Sequence, residues 1–234
     1  MLIPSQSWGE DIAIDSSLVK LNLGTIKENI AHYNAKIIAV TKYFGLKAIK
    51  AGYEAGIRDF AESRALESIE KIKQLPDEIR ENSTFHFIGH LQSNKADKVV
   101  KYFDVIHSVD SLKIASAISK QACSLNKRKK ILLQVNNAGE EQKSGYTKDK
   151  LREDMQNILN LENIEVIGLM NMAPFGANEE ELNRLFGDIR MFRDELEKEF
   201  KISLPELSMG MSDDYRVAVR NGATMIRIGR KLFT

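Results

Sequence analysis

One cysteine, Cys123, occurs in 234 residues, which excludes an internal disulfide and a thiolate metal cluster. With four prolines and no Pro-, Gly- or Ser-rich stretch, the chain contains no recognisable linker. No run of 18 apolar residues is present, so a hydrophobic spanning helix is excluded as well. Met1-Leu-Ile-Pro-Ser5 lacks the basic start and long apolar segment of a secretory signal, and a cytoplasmic location is expected. Neither sign of charge is in excess. Lys+Arg 34 against Asp+Glu 33 leaves +1, so bulk electrostatics favour neither nucleic acid nor membrane as a partner. The one basic run, Lys127-Arg-Lys-Lys130, falls between a helix and a strand and reads as a solvated turn. No HxxxH, HExxH or carboxylate cluster points to a metal.

What the chain does have is 43% hydrophobic residues, enough for a sizeable core, in a repeating order. Ile37 to Val40 is an unbroken run rich in β-branched residues, the pattern of a strand buried on both faces. A helical stretch from Leu46 to Ala55 follows and stops at Gly56. The alternation then recurs, with strands expected at Ile57–Phe60, Thr84–Ile88, Asp104–Ser108, Ile131–Val135, Ile164–Gly168, Leu204–Ser208 and Thr224–Ile228. Helical stretches separate them, the clearest carrying Leu182, Leu185, Phe186, Ile189, Phe192 and Leu196 at a 3.6-residue period. Eight strands, each joined to the next by a helix, predict an α/β protein: a single (β/α)8 TIM barrel spanning 1–234. The short tail after the last strand leaves no room for a full eighth helix, and an extra N-terminal helix over Asp15–Tyr33 is expected to fill that place. An open doubly wound sheet fits the same alternation.

In a barrel the residues after each strand share one rim, where binding and chemistry belong. Here that rim comprises Lys42, Glu62-Ser63-Arg64, His90, Ser108 and Asp110, Asn136-Asn137, Asn171, Ser208 to Ser212, and Arg227 to Arg230. Lys42 is a candidate Schiff-base former for an aldehyde or ketone, since an amine at a strand end turns nucleophilic when burial or a nearby cation favours its neutral form. From this stretch alone the ordinary reading, a solvated lysine capping the strand, comes first. Ser212 and the backbone N–H groups behind it offer donors to an anion, and Gly229 permits close backbone approach in the loop after the last strand. Asp213 and Asp214 argue against an anion there, and Ser212 and Gly229 also fit a plain N-cap and a tight turn. His86, between Phe85 and Phe87, is expected to be a packed or hydrogen-bonded barrel residue. His90 lies at the rim, within reach of a ligand, while His32 and His107 carry no signal. Met170, Met172, Met209 and Met211 read as packing. An amine, phosphate donors and a barrel together fit pyridoxal 5'-phosphate, with Lys42 for its aldehyde, Ser212 and Gly229 for its phosphate and Arg227 for its ring nitrogen.

Ala39-Val-Thr-Lys42, His86-Phe-Ile-Gly-His-Leu-Gln-Ser-Asn-Lys95, Val135-Asn136 with Glu141, Lys143 and Gly145, Gly168-Leu-Met170 with Met172, Leu207-Ser-Met-Gly-Met-Ser-Asp213, and Gly222-Ala-Thr through Arg227-Ile-Gly229 form an ordered set. With these stretches the chain resembles the pyridoxal phosphate homeostasis proteins, single-domain relatives of the alanine racemase N-terminal barrel. The resemblance implies that Lys42 holds pyridoxal 5'-phosphate as a Schiff base and that Ser212 with the Gly229–Arg230 backbone binds its phosphate. It places Arg227 against the pyridine nitrogen, keeping that nitrogen unprotonated, and puts Ser63 and Met209 among the cofactor-binding positions. Ala61-Glu62-Ser63 departs from the Gly-Glu-Asn usual in the family. The implied function is a carrier, buffer or regulator of vitamin B6 and amino-acid pools, with no catalytic residue. Its expected partners are the vitamer and the pyridoxal phosphate-dependent apoenzymes that receive it, and a monomer is expected. The alternatives are a racemase-like enzyme, with Tyr43 or His90 as opposing base, and a phosphosugar aldolase using Lys42.

Overall fold

The computed structural model describes residues 14–139 and 144–234; Glu141 and Lys143 of the matched stretches lie outside them. Eight parallel strands close into a barrel in chain order, each paired with the next and the last with the first. They are β1 (Lys36–Val40), β2 (Asp59–Glu62), β3 (Thr84–Phe87), β4 (Val105–Val109), β5 (Lys129–Gln134), β6 (Ile164–Met170), β7 (Glu206–Ser208) and β8 (Met225–Ile228). The open sheet is thereby replaced by the closed alternative. The surrounding helices are α1 (Ser16–Asn29), α2 (Leu46–Glu54), α3 (Ala65–Lys73), α4 (Asp77–Glu81), α5 (Ala96–Tyr102), α6 (Leu112–Ser124), α7 (Lys148–Leu159), α8 (Glu179–Phe200), α9 (Tyr215–Arg220) and α10 (Arg230–Phe233). The N-terminal helix α1 packs against α2 and the short α10, and the Asn22 side chain donates to the Leu232 carbonyl at 3.2 Å. It fills the gap in the outer ring, as the sequence predicts.

Local chemistry sets the boundaries. Gly56, at φ +94°, ends α2: its N–H bonds the Tyr53 carbonyl, and the Ile57 N–H bonds that of Gly52. Ile57 is taken up by this cap, so β2 starts at Asp59 rather than at Ile57. The Pro205 nitrogen carries no hydrogen, and β7 shortens to Glu206–Ser208. Asp15, Ser111, Thr147 and Asn178 each accept a backbone N–H bond at a helix start.

Alternation along the strands builds two apolar layers. Phe60, Phe85, Phe87, Ile106, Leu133, Leu169, Leu207 and Ile226 face outward and pack under the helices with Ile49, Val99, Ile118, Met155 and Phe186. Inside the barrel lies a smaller cluster of Ile38, Val40, Ala61, Val105, Leu132, Ile167, Met170 and Met225. The inner layer is small because polar side chains occupy the rest of the interior: His86, His107, Ser208 and Arg227 are all buried. The β4–β5 register shifts between Ile106 and Val109, a bulge spanning His107 and Ser108, and such bulges re-aim side chains.

Candidate functional site

Lys42 follows β1 in a turn that is clamped from outside the barrel. Thr41 Oγ1 donates to Glu62 Oε1 at 2.7 Å, and Lys71 Nζ, from α3, reaches the same oxygen at 2.6 Å. Lys71 also donates to the Thr41 carbonyl at 3.0 Å and the Phe44 carbonyl at 2.7 Å, while Ser68 Oγ, 2.5 Å from the Arg64 carbonyl, lies 3.2 Å from Glu62 Oε2. Sequence order puts Glu62 on the rim. The structure turns it outward instead, 2% exposed beneath α3, so it serves the turn and not the cavity. Lys42 itself is half-buried, and its Nζ lies 4.9 Å from the Tyr43 ring centroid. Among the described residues it has no carboxylate partner. A primary amine free of an ion pair is the chemically available kind.

The far end of the chain meets this turn across the barrel seam. Ile38 pairs in register with Arg227 and Ala39 with Ile228, so the loop after β8 emerges beside the one after β1. A Cβ on Gly229 would stand 3.4 Å from the Val40 carbonyl oxygen. Ser212 is buried, with its Oγ facing the Lys231 N–H at 3.5 Å. The N–H groups of Ser212, Gly229 and Arg230 have no acceptor among the described residues. Unspent donors of this kind, beside the exposed Arg230, are groups of the type an anion accepts from. The two acidic neighbours are accounted for: Asp213 pairs with Arg230 at 3.3 Å, and buried Asp214 turns back to accept the Met211 N–H. Burial raises the Asp214 pKa, opposed by the Met211 bond and Arg227. Gly210 makes this fold-back possible. Its φ is +92°, and a Cβ would meet the Ala218 methyl at 2.6 Å.

Arg227 is 3% exposed inside the barrel. One terminal nitrogen donates to the Ser208 carbonyl at 2.7 Å and to Ser208 Oγ at 2.6 Å, the other to the Asn171 carbonyl at 2.8 Å. Burial brings its pKa down to about 10, with Asp214 opposing the drop. No carboxylate contacts it among the described residues. A guanidinium has five N–H donors, and three bonds to Ser208 and Asn171 leave two unspent. Those two donors remain available to an acceptor at the rim.

Ser63 is half-buried at the end of β2, its backbone pressed against Gly89. Met209 is fully buried in the outer apolar layer. His90, exposed, lies 3.3 Å from Asp110 and 3.2 Å from Ser144 Oγ. His86 is hydrogen-bonded inside the barrel, as expected, but to His107, which the sequence left without a role. A histidine on the same strand face as inward Val105 was the available signal. Lys71 was missed because a lysine on a helix ordinarily reads as solvated.

Residues 14–234 match the model of the alanine racemase N-terminal domain family. The chain is 44% identical over 200 residues to the pyridoxal phosphate homeostasis protein of Synechocystis sp., covering 86% of this chain and 91% of the relative. The chain belongs to the pyridoxal phosphate homeostasis protein family. A member from Aquifex aeolicus is 38% identical over 199 residues, with 85% and 86% coverage. The structure of PipY from Synechococcus elongatus PCC7942 with pyridoxal phosphate bound superposes with a TM-score of 0.84 at 37% identity, over 92% of this chain and all of that one. Alanine racemase of Clostridium difficile shares the barrel, at TM-score 0.75 and 17% identity, but this chain covers only 60% of it. The likeness to the homeostasis proteins extends along nearly their whole length, whereas that solved racemase shares the barrel fold at 17% identity.

Proposed function

We propose that this homeostasis-family chain binds pyridoxal 5'-phosphate at the carboxyl rim and serves as its carrier or buffer, with no turnover of its own. Lys42 Nζ would hold the vitamer's aldehyde carbon covalently, with loss of one water. Ser212 and the free N–H groups of Gly229 and Arg230 receive the phosphate, and Arg227 faces the ring nitrogen. Bound in this way, the group supplies a masked aldehyde. Near neutral pH a guanidinium with a pKa of about 10 remains a cation and can only donate, so it holds the ring nitrogen as an acceptor without a proton. Arg227 would thereby leave the ring a weak electron sink, which suits storage over turnover. The observation that carries the reading is Arg227, a buried cation with spare donors, on the same rim as an unpaired lysine amine. Ser63 closes the β2 side of the site and Met209 backs the phosphate loop. The recipients are pyridoxal phosphate-dependent apoenzymes, and the working form is a cytoplasmic monomer.

Titration of the purified protein with pyridoxal 5'-phosphate, followed by visible absorbance, tests this. Saturable binding of one equivalent is expected. Lys42→Ala should lose the borohydride-fixed adduct but keep weaker, phosphate-held binding. Ser212→Ala should weaken binding about tenfold, the worth of one hydrogen bond to a charged group. Absence of saturable binding by the unmodified chain overturns the reading.

A further inference from the structure

A single file of hydrogen bonds crosses the barrel interior from the amino end to the rim. Asp59 Oδ1, near the start of β2, lies 3.0 Å from His86 Nε2. His86 Nδ1 lies 2.9 Å from His107 Nε2, and His107 Nδ1 lies 2.9 Å from Ser208 Oγ. Arg227 then donates to that same oxygen at 2.6 Å. Strands β2, β3, β4, β7 and β8 contribute one residue each. Both histidines are wholly buried, and at the outer end Lys36 reaches Asp59 at 3.3 Å.

With both rings neutral, the carboxylate end fixes the direction of every link. A carboxylate only accepts, so His86 must carry its proton on Nε2. With one proton per ring, its Nδ1 is then an acceptor, and His107 must donate from its own Nε2. That leaves His107 Nδ1 bare, so the Ser208 hydroxyl donates to it and turns its lone pairs to Arg227. Nothing at the Arg227 end forces this, because Ser208 Oγ can accept twice. Asp59 sets the polarity. Burial above all, with the Arg227 cation adding to it, holds the His107 pKa well below 6.5, in keeping with a neutral ring. Hydrogen bonds aligned head to tail polarise one another in a dry interior, so the carboxylate is felt at the far end without touching it.

We propose that His107 and His86 are positioning residues for Arg227, forming with Asp59 and Ser208 a one-way donor line through the barrel that keeps the guanidinium oriented and its two remaining donors free for the cofactor's ring nitrogen. The role toward the ring rests on the function proposed above, whereas the polarity of the line does not.

Nitrogen NMR of the ring signals in cofactor-free protein at pH 7.5 tests the polarity directly. Both His86 and His107 should show a protonated Nε2 and a bare Nδ1. A proton on Nδ1 of either ring overturns the proposal. In Asp59→Asn the amide can donate or accept, so His107 should acquire a population protonated on Nδ1; an unchanged tautomer would show that Asp59 does not set the line. The positioning role is read from bound pyridoxal 5'-phosphate. His107→Leu should weaken its binding about tenfold and move its visible band, whereas His107→Gln, which keeps one acceptor and one donor, should restore both. Equal affinity and an unmoved band in His107→Leu sink the positioning role. If the unmodified chain binds no cofactor, the function proposed above fails while the tautomers still judge the line.

Discussion

Glu62 and Arg227 are both buried charges placed by the barrel wall, one on its outer face and one on its inner. Glu62 meets its opposite charge directly, since Lys71 sits at 2.6 Å and Thr41 donates to the same oxygen at 2.7 Å. Arg227 meets no carboxylate; it has two carbonyls, a hydroxyl and, four links away, Asp59. The outer network is closed and holds a backbone turn in one place. The inner network is left open at the rim. A closed network stabilises the fold, and an open one reserves capacity for a ligand, so the difference separates scaffold from site on charge accounting alone.

The largest effect expected from breaking this contrast is on the outer side. Lys71→Ala strands the Glu62 carboxylate beneath α3 and should cost about 3–5 kcal/mol in urea unfolding. A loss under about 1 kcal/mol would place Glu62 in a far wetter setting than the packing indicates. The inner side should answer to pH. His107 has a folded pKa well below 6.5, so on acidification the unfolded chain takes up the proton first. Stability is then lost as pH falls below that value, by about 1.4 kcal/mol per pH unit until the folded pKa is reached. Unfolding curves at pH 7.5 and 5.5 should show this loss, and His107→Gln should flatten it. The smallest effect belongs to Asp59, whose pKa is held below 3.8 against burial by His86 and Lys36. Its contribution is present above 3.8 and fades as pH falls through the folded value. Asp59→Asn should therefore cost under about 1 kcal/mol at pH 7, its Lys36 partner being half-exposed, and less at pH 2.

The barrel was legible in the sequence because its strands are short apolar runs and its helices carry stripes or stop at Gly56. What escaped was local. Ile57 looks like a strand residue until its N–H is seen closing the end of α2. Helix α4, five residues with Ile79 alone buried, is too short to show a period. At the site, Lys42, Ser212, Arg227, Gly229 and Arg230 could be nominated by following each strand to its end. Glu62 was nominated by the same rule, yet the wall between inside and outside runs through Ala61-Glu62-Ser63, and side-chain parity decides the side. His107 and Lys71 gave little signal because their roles arise from partners 21 and 9 residues away in sequence.

The covalent attachment is the claim on which the functional account stands. Reduction of the pyridoxal phosphate-loaded protein with borohydride, followed by peptide mass analysis, reads it directly. The account predicts one phosphopyridoxyl group, on the peptide containing Lys42; a group found on Lys71, Lys231 or another lysine, with the Lys42 peptide unmodified, would contradict it.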